Sequence, residues 1–188
     1  GGRFPIKATV GDVIHVEADV FADGHDKISA RLLYRAAHDA GWSEVPLALI
    51  ENDRYGASFP IEHEGWYTYT FEAWVDHPLT WQHETVLKIR DGQHVNVELL
   101  MGAAFFDEMA GLASPDDARA LTAAAQVFRD PAQYEHAVHL AAGPDVKAWI
   151  ARYPLRHHAT RYAPELRVYV DRWRARFGAW YSLFPRST

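Results

Sequence analysis

Eleven histidines and a surplus of carboxylates are the groups in this sequence that could bind a metal or move a proton. Glu135, His136 and His139 fall in a stretch predicted to be helical. They lack the His-Glu-x-x-His spacing that aims two imidazoles at one ion, and no third ligand accompanies them. The pattern predicts a solvated helix face opposite Tyr134 and Val138, and no metal site. His157 and His158 adjoin Arg156 and Arg161 in a loop, where an anion contact competes with an ordinary surface. Asp76-His77 and Trp81-Gln82-His83-Glu84 bring carboxylates and imidazoles close in sequence, as the polar edge of a hairpin also would. The sequence holds no P-loop, no Gly-x-Gly-x-x-Gly after a strand and no Gly-x-Ser-x-Gly elbow, so nucleotide and serine-hydrolase chemistry are unsupported. The acidic residues sit mostly on outward strand faces or at helix starts, and no pair is placed for glycoside chemistry. No catalytic residue, cofactor or metal is expected.

The seven tryptophans are the stronger signal. Exposed indole rings on a sheet can stack on sugar faces, and Trp42, Trp66, Trp74 and Trp81 are the candidates. Trp66 and Trp74 alternate with Tyr67, Tyr69 and Phe71, so they share a half-polar face with Thr68, Thr70 and Glu72. Two readings stay open for that face. It is a ligand platform, or it is apolar surface covered by a helical insert or a neighbouring domain.

The elements that position these rings follow from periodicity. Glu64 to Asp76 is the longest strand-forming run, with one face wholly apolar or aromatic. Ile14, Val16, Ala18 and Val20 alternate with His15, Glu17 and Asp19, the pattern of a half-buried antiparallel strand between Gly11-Asp12 and Asp23-Gly24. Ile28, Ala30, Leu32 and Tyr34 repeat it. Further strands are predicted over Trp42 to Ile50, Arg54 to Pro60, and Thr80 to Ile89, where Trp81, His83, Thr85, Leu87 and Ile89 share a face. Seven short strands with regular turns predict an immunoglobulin-like antiparallel β-sandwich. At Asp91-Gly92 the period changes. Val97, Leu100, Met101, Ala104, Phe105, Met109 and Leu112 take helical spacing as an expected buried face. Ser114-Pro115 starts a second helix burying Ala118, Leu121, Ala125 and Phe128. Asp130-Pro131 starts a third, with Tyr134, Ala137, Val138 and Ala141. Pro144 starts a fourth, with Val146, Trp149, Ile150 and Tyr153. Such short helices need a bundle or a sheet to lie on. Leu166, Val168 and Val170 then alternate again, so Glu165 to Asp171 is expected to rejoin the sandwich. The expected layout is a sandwich of residues 3–91 and 161–177 interrupted by a small helical bundle over 92–160.

Composition bounds the partners. A chain of 188 residues can bury roughly 70% of the surface its unfolded form exposes. With no cysteine it has neither disulfides nor thiolate metal sites, a weak pointer to the cytoplasm. A net charge of −6, from 25 acidic and 19 basic residues, opposes nucleic acid or an anionic membrane as main partner. No apolar run reaches the length of a membrane span, and no charged-then-apolar leader precedes Arg3. Gly1 and Gly2 without an initiating Met suggest a processed or cloned start.

The stretches DGHDKISARLLYR, EGWYTYTFEAWVDHPLTWQHE and VYVDRWRARFGAWYSLFPRS resemble the amino-terminal part of bacterial α-1,4-glucan:maltose-1-phosphate maltosyltransferases, of the α-amylase superfamily (glycoside hydrolase family 13). The resemblance spans nearly the whole chain. It implies an accessory sandwich with a helical insert ahead of a catalytic (β/α)₈ barrel, with residues 178–188 resembling the barrel's first strand. The family's catalytic carboxylates lie on later barrel strands, so none falls on a position of this sequence and the fragment is expected to be inactive. The parent is expected to transfer maltosyl from maltose 1-phosphate to α-1,4-glucan with retention, and this part to help assemble a homodimer around the barrels. The resemblance thus makes the downstream barrel and a second copy the expected partners. Trp66, Trp74, Trp173, Trp180 and Tyr181 are the expected domain contact or sugar platform. The alternative is a carbohydrate-binding module with α-glucan as ligand.

Overall fold

The computed structural model describes residues 4–177, a mixed β/α fold with two sheets and a helical segment. Two compact units divide it. One holds the chain up to Phe21, Ala30–Ala73, and the chain from Thr160; the other holds Ala22–Ser29 and Trp74–Ala159.

In the first unit β1 (Ile6–Thr9), β3 (Ile28–Ala36), β4 (Ser43–Pro46), β7 (Gly65–Val75) and β9 (Leu166–Asp171) form a sheet of order β1-β9-β7-β3-β4, with the two-residue β8 (Thr160–Arg161) also on β7. The β1–β9 pairing is parallel, whereas β9, β4 and β8 pair antiparallel with their neighbours β7, β3 and β7. A second sheet runs β2-β6-β5, from β2 (Val13–Asp19), β6 (Arg54–Pro60) and β5 (Ala48–Glu51). Alternation explains the core. Ile14, Val16 and Phe59 of the smaller sheet join Ala30, Leu32, Tyr67, Tyr69, Val168 and Val170 of the larger one in a single apolar cluster. Phe59 is fully buried and stacks on Tyr34 at 4.6 Å. Its burial alone stabilises by roughly 1.5–3 kcal/mol. The run Trp42 to Ile50, expected as one strand, divides between the sheets. Pro46 has no N–H to extend the ladder on β3, and buried Leu47 turns the chain, its N–H donating to the Ala30 carbonyl at 2.9 Å.

The second unit begins its helices earlier than the sequence pattern predicts. Thr80 to Ile89 is not a strand but part of α1 (His77–Arg90). The Asp76 carboxylate accepts from the Leu79 N–H at 3.0 Å and Pro78 lies in the first turn, a start signal that overrides the alternation. Trp81, Gln82 and Thr85 are then buried at helical spacing. Helix α2 (Asn96–Ala110) exists as expected but presents the other face. Leu99, Gly102, Ala103, Phe106 and Met109 are buried, while Val97, Leu100, Met101 and Ala104 face solvent. A helix apolar on both sides has no periodic signal to say which side is inside.

The remaining helices match the expected stripes. In α3 (Pro115–Arg129), Ser114 Oγ accepts from Asp117 N–H, and Leu121, Ala124, Ala125 and Phe128 are buried. Helix α4 (Tyr134–Ala142) buries Ala137 and Ala141, and α5 (Pro144–Arg152) buries Val146 and Ile150. All contribute to one cluster with Trp81, Leu99, Phe106 and Met109. Trp81 is its centre. The indole N–H donates to the Glu98 carbonyl at 2.6 Å, and the ring meets Phe105, Phe106 and Phe128 edge-on. It lies so close to α2 that a Cβ on Gly102 would stand 2.1 Å from Trp81 Cζ2.

That contact makes a prediction. Gly102→Ala forces the indole or the helix to move, and urea unfolding will show a loss of about 1–3 kcal/mol. An unchanged midpoint would mean that α2 and Trp81 do not pack this closely.

Candidate functional site

The structure separates the tryptophans that the sequence grouped. Trp66 and Tyr169 are cross-strand partners on the outward face of β7 and β9. Trp66 is 43% exposed, its ring 5.0 Å from that of Tyr169 and inclined by 59°. The Arg167 guanidinium stands 6.0 Å from the Trp66 centroid, and Tyr169 is itself exposed. Trp173 opens a 3₁₀ turn (Trp173–Phe177), is 55% exposed, and leans on exposed Phe177 at 4.9 Å. Arg176 pairs with Asp12, which fixes that turn to the end of β1. Gly65 pairs with Val170 and Thr9 with Asp171, so Trp66 and Tyr169 lie toward the end of β9 from which the Trp173–Phe177 turn continues. These two ring pairs are exposed aromatic surface. Of their members, the sequence reading missed Tyr169 and Phe177; the outward phase of Tyr169 between Val168 and Val170 was the available signal.

The other candidates lie elsewhere. Trp74, at the far end of β7 and in the second unit, is buried, with the Arg156 guanidinium 5.4 Å from its centroid. It is therefore no part of an exposed platform. Its Nε1 has no hydrogen-bond partner among the described residues. Trp81 is core. Trp42 is half-buried, with Arg35 and Arg161 stacked on it at 4.4 and 4.5 Å and Glu165 within 4 Å of both cations, so its π-surface is already engaged. Trp180 and Tyr181 lie outside the described residues.

Titratable groups whose pKa is displaced are held by neighbouring hydrogen bonds. The Thr9 N–H donates to Asp12 at 2.7 Å, and with the nearby Arg176 this holds the Asp12 carboxyl below the ordinary range. The hydrogen bond to Lys88 lowers Glu98 likewise, and Lys88 is raised by the same contact, 2.5 Å long. Glu135, His136 and His139 are exposed on α4, and His157 pairs with Glu108. Among the described residues no three His, Asp or Glu converge to hold a metal ion, and no helix is long and apolar enough to cross a membrane.

The described part of this surface is built of aromatic rings with arginine beside them, and comparison with known sequences places the chain in a family. The family profile for α-1,4-glucan:maltose-1-phosphate maltosyltransferase, domain N/S, matches residues 1–172. The chain belongs to this family. It is 40% identical over 194 residues to the α-1,4-glucan:maltose-1-phosphate maltosyltransferase of Myxococcus xanthus, covering 99% of this chain and 29% of that protein. The enzyme of the same name from Chlorobaculum tepidum is 40% identical over 187 residues, covering 100% and 28%. Maltosyltransferase 1 of Streptomyces coelicolor is 37% identical over 191 residues, covering 99% and 28%. The chain thus spans less than a third of the length of these relatives. It corresponds to the non-catalytic N/S domain of the family, separate from the catalytic core.

The two buried indoles differ in a way that stability will report. Trp81→Phe leaves the Glu98 carbonyl without its donor, whereas Trp74→Phe deletes a donor that has no acceptor. In urea melts the Trp81 variant will lose about 1–3 kcal/mol more than the Trp74 variant. Equal losses would refute the assignment of the hydrogen bonds.

Proposed function

We propose that this chain is the assembly part of a maltosyltransferase and that its aromatic surface is where the catalytic part docks. One observation carries the reading: the Trp66–Tyr169 pair on β7 and β9 and the Trp173–Phe177 pair just beyond β9 are both exposed. Each such ring buries on the order of 150–250 Å² when covered, and a patch of that size in water is an interaction site. In this reading the two sheets are an immunoglobulin-like sandwich, a finer description supported by their shared apolar cluster. The helices are an insertion into that sandwich, and residues 178–188, expected as a barrel's first strand, lie outside the described residues. The parent protein is cytoplasmic and homodimeric. Its barrel moves maltosyl from maltose 1-phosphate to α-1,4-glucan through a carboxylate pair, and the 188-residue piece is inactive alone.

Hydroxyl-radical footprinting of this chain and of the longer polypeptide tests the docking. Trp66 and Trp173 will be oxidised readily in the chain alone and protected severalfold in the longer protein. Equal oxidation in both would overturn it.

A second reading rests on the inclined Trp66–Tyr169 pair with Arg167 beside it, a shape and polarity that also suit a curved α-glucan. Titration with maltoheptaose decides: a saturable change in tryptophan fluorescence that Trp66→Ala abolishes makes this face a glucan platform, and a flat titration leaves docking as its role.

A further inference from the structure

The chain leaves β9 through a stretch that the first unit holds loosely. Trp173 to Phe177 buries no side chain, and its two rings meet each other at 4.9 Å. The bond from the Val10 N–H to the Asp171 carbonyl, 3.3 Å long, ties the chain down just before the turn. Beyond it the backbone bonds among the described residues are local, such as Ala175 N–H to the Arg172 carbonyl at 2.9 Å. Arg172 and Arg174 make no ion pair among the described residues, whereas Arg176 pairs with Asp12. Asp12 is by contrast a fixed point. Its Oδ2 accepts the Thr9 N–H at 2.7 Å and the Thr9 hydroxyl at 3.0 Å, and its Oδ1 accepts from Arg176. The Gly11 N–H donates to the Ile61 carbonyl and the Ile61 N–H to the Asp12 carbonyl, both at 2.9 Å, so the turn between β1 and β2 is bound to the residue that follows β6. The Thr9 bonds hold the Asp12 carboxyl below the ordinary range, and it is charged at neutral pH.

We propose that the Trp173–Phe177 turn is a releasable strap, latched by the Asp12–Arg176 pair, and that opening this latch frees the turn while both sheets stay folded. The two sides of the latch are unequal. The anchor is fixed by four hydrogen bonds around Asp12, and the strap has no buried side chain to lose when it lifts. The pair is wet as well, with the Arg176 and Asp12 side chains 51% and 22% exposed. An ion pair so placed shifts an equilibrium by about fivefold at most, enough to favour the closed strap and too little to lock it. Local opening without loss of the core is the expected behaviour of a segment with so few contacts. The strap carries Trp173 and Phe177, so for its role the inference rests on the docking reading above. The latch sets where these two rings stand before a partner covers them, and thereby lowers the cost of ordering them.

Limited trypsin digestion of this chain tests the latch, because cleavage reads the population of the locally opened form. The bonds after Arg172 and Arg174 are the reporters, followed by mass spectrometry. Asp12→Asn keeps an acceptor for Thr9 and removes the charge, and Arg176→Gln removes the other partner. Each will speed cleavage at the reporters about threefold to fivefold, with unchanged circular dichroism and urea midpoint. The double variant will be cut no faster than either single one, since both remove the same contact. Arg176→Lys will stay near the wild type. Equal cleavage of the wild type and Arg176→Gln overturns the proposal, and so does a double variant in which the two effects multiply. Faster cleavage of Asp12→Asn with a lowered urea midpoint, beside an unchanged Arg176→Gln, also overturns it, because Asp12 then serves its own turn alone. Docking is read separately, by footprinting against the longer polypeptide, so either reading can fail without the other.

Discussion

The fold depends on satisfying both edges of β7. Eleven residues of extended backbone, several of them buried, carry N–H and C=O groups that must find partners in the protein. One edge is met by β3, from earlier in the chain, and the other by β9 and β8, from beyond all five helices. The side chains add to the demand: Tyr67 and Tyr69 enter the apolar cluster, and on the opposite face fully buried Thr70 gives its hydroxyl proton to the Tyr162 carbonyl at 2.8 Å. The neighbours of this strand thus come from both sides of the helical block in the sequence.

What the fold leaves uncovered is as informative as what it buries. Each unit closes an apolar cluster of its own and still presents apolar surface, aromatic on β7, β9 and the turn beyond them and aliphatic along α2. The chain aligns end to end with less than a third of its maltosyltransferase relatives, so it is one part of a larger multidomain architecture in them.

Much of this was legible in the sequence, and the failures have definite causes. Period-2 alternation placed β2, β3, β7 and β9, and Ser114, Asp130 and the prolines marked the later helices. The α1 segment was misread because Trp81, His83, Thr85, Leu87 and Ile89 alternate by chance, while the decisive signal was Asp76 followed by Pro78. In α2 the choice of face failed because Val97, Leu100 and Met101 are as apolar as Leu99, Ala103 and Phe106, and only the neighbouring helices decide between them. Trp66 and Trp74 share a strand phase but not an environment. Arg156 covers Trp74 from a position no local pattern connects to it.

Exposed apolar surface on the folded chain is most directly measured by binding of an environment-sensitive apolar dye such as anilinonaphthalene sulfonate. The natively folded chain, with intact near-ultraviolet circular dichroism, will enhance the dye's fluorescence, and the enhancement will be lost when the same residues are part of the longer polypeptide. A folded chain that binds no dye, or equal binding by both proteins, would contradict that expectation.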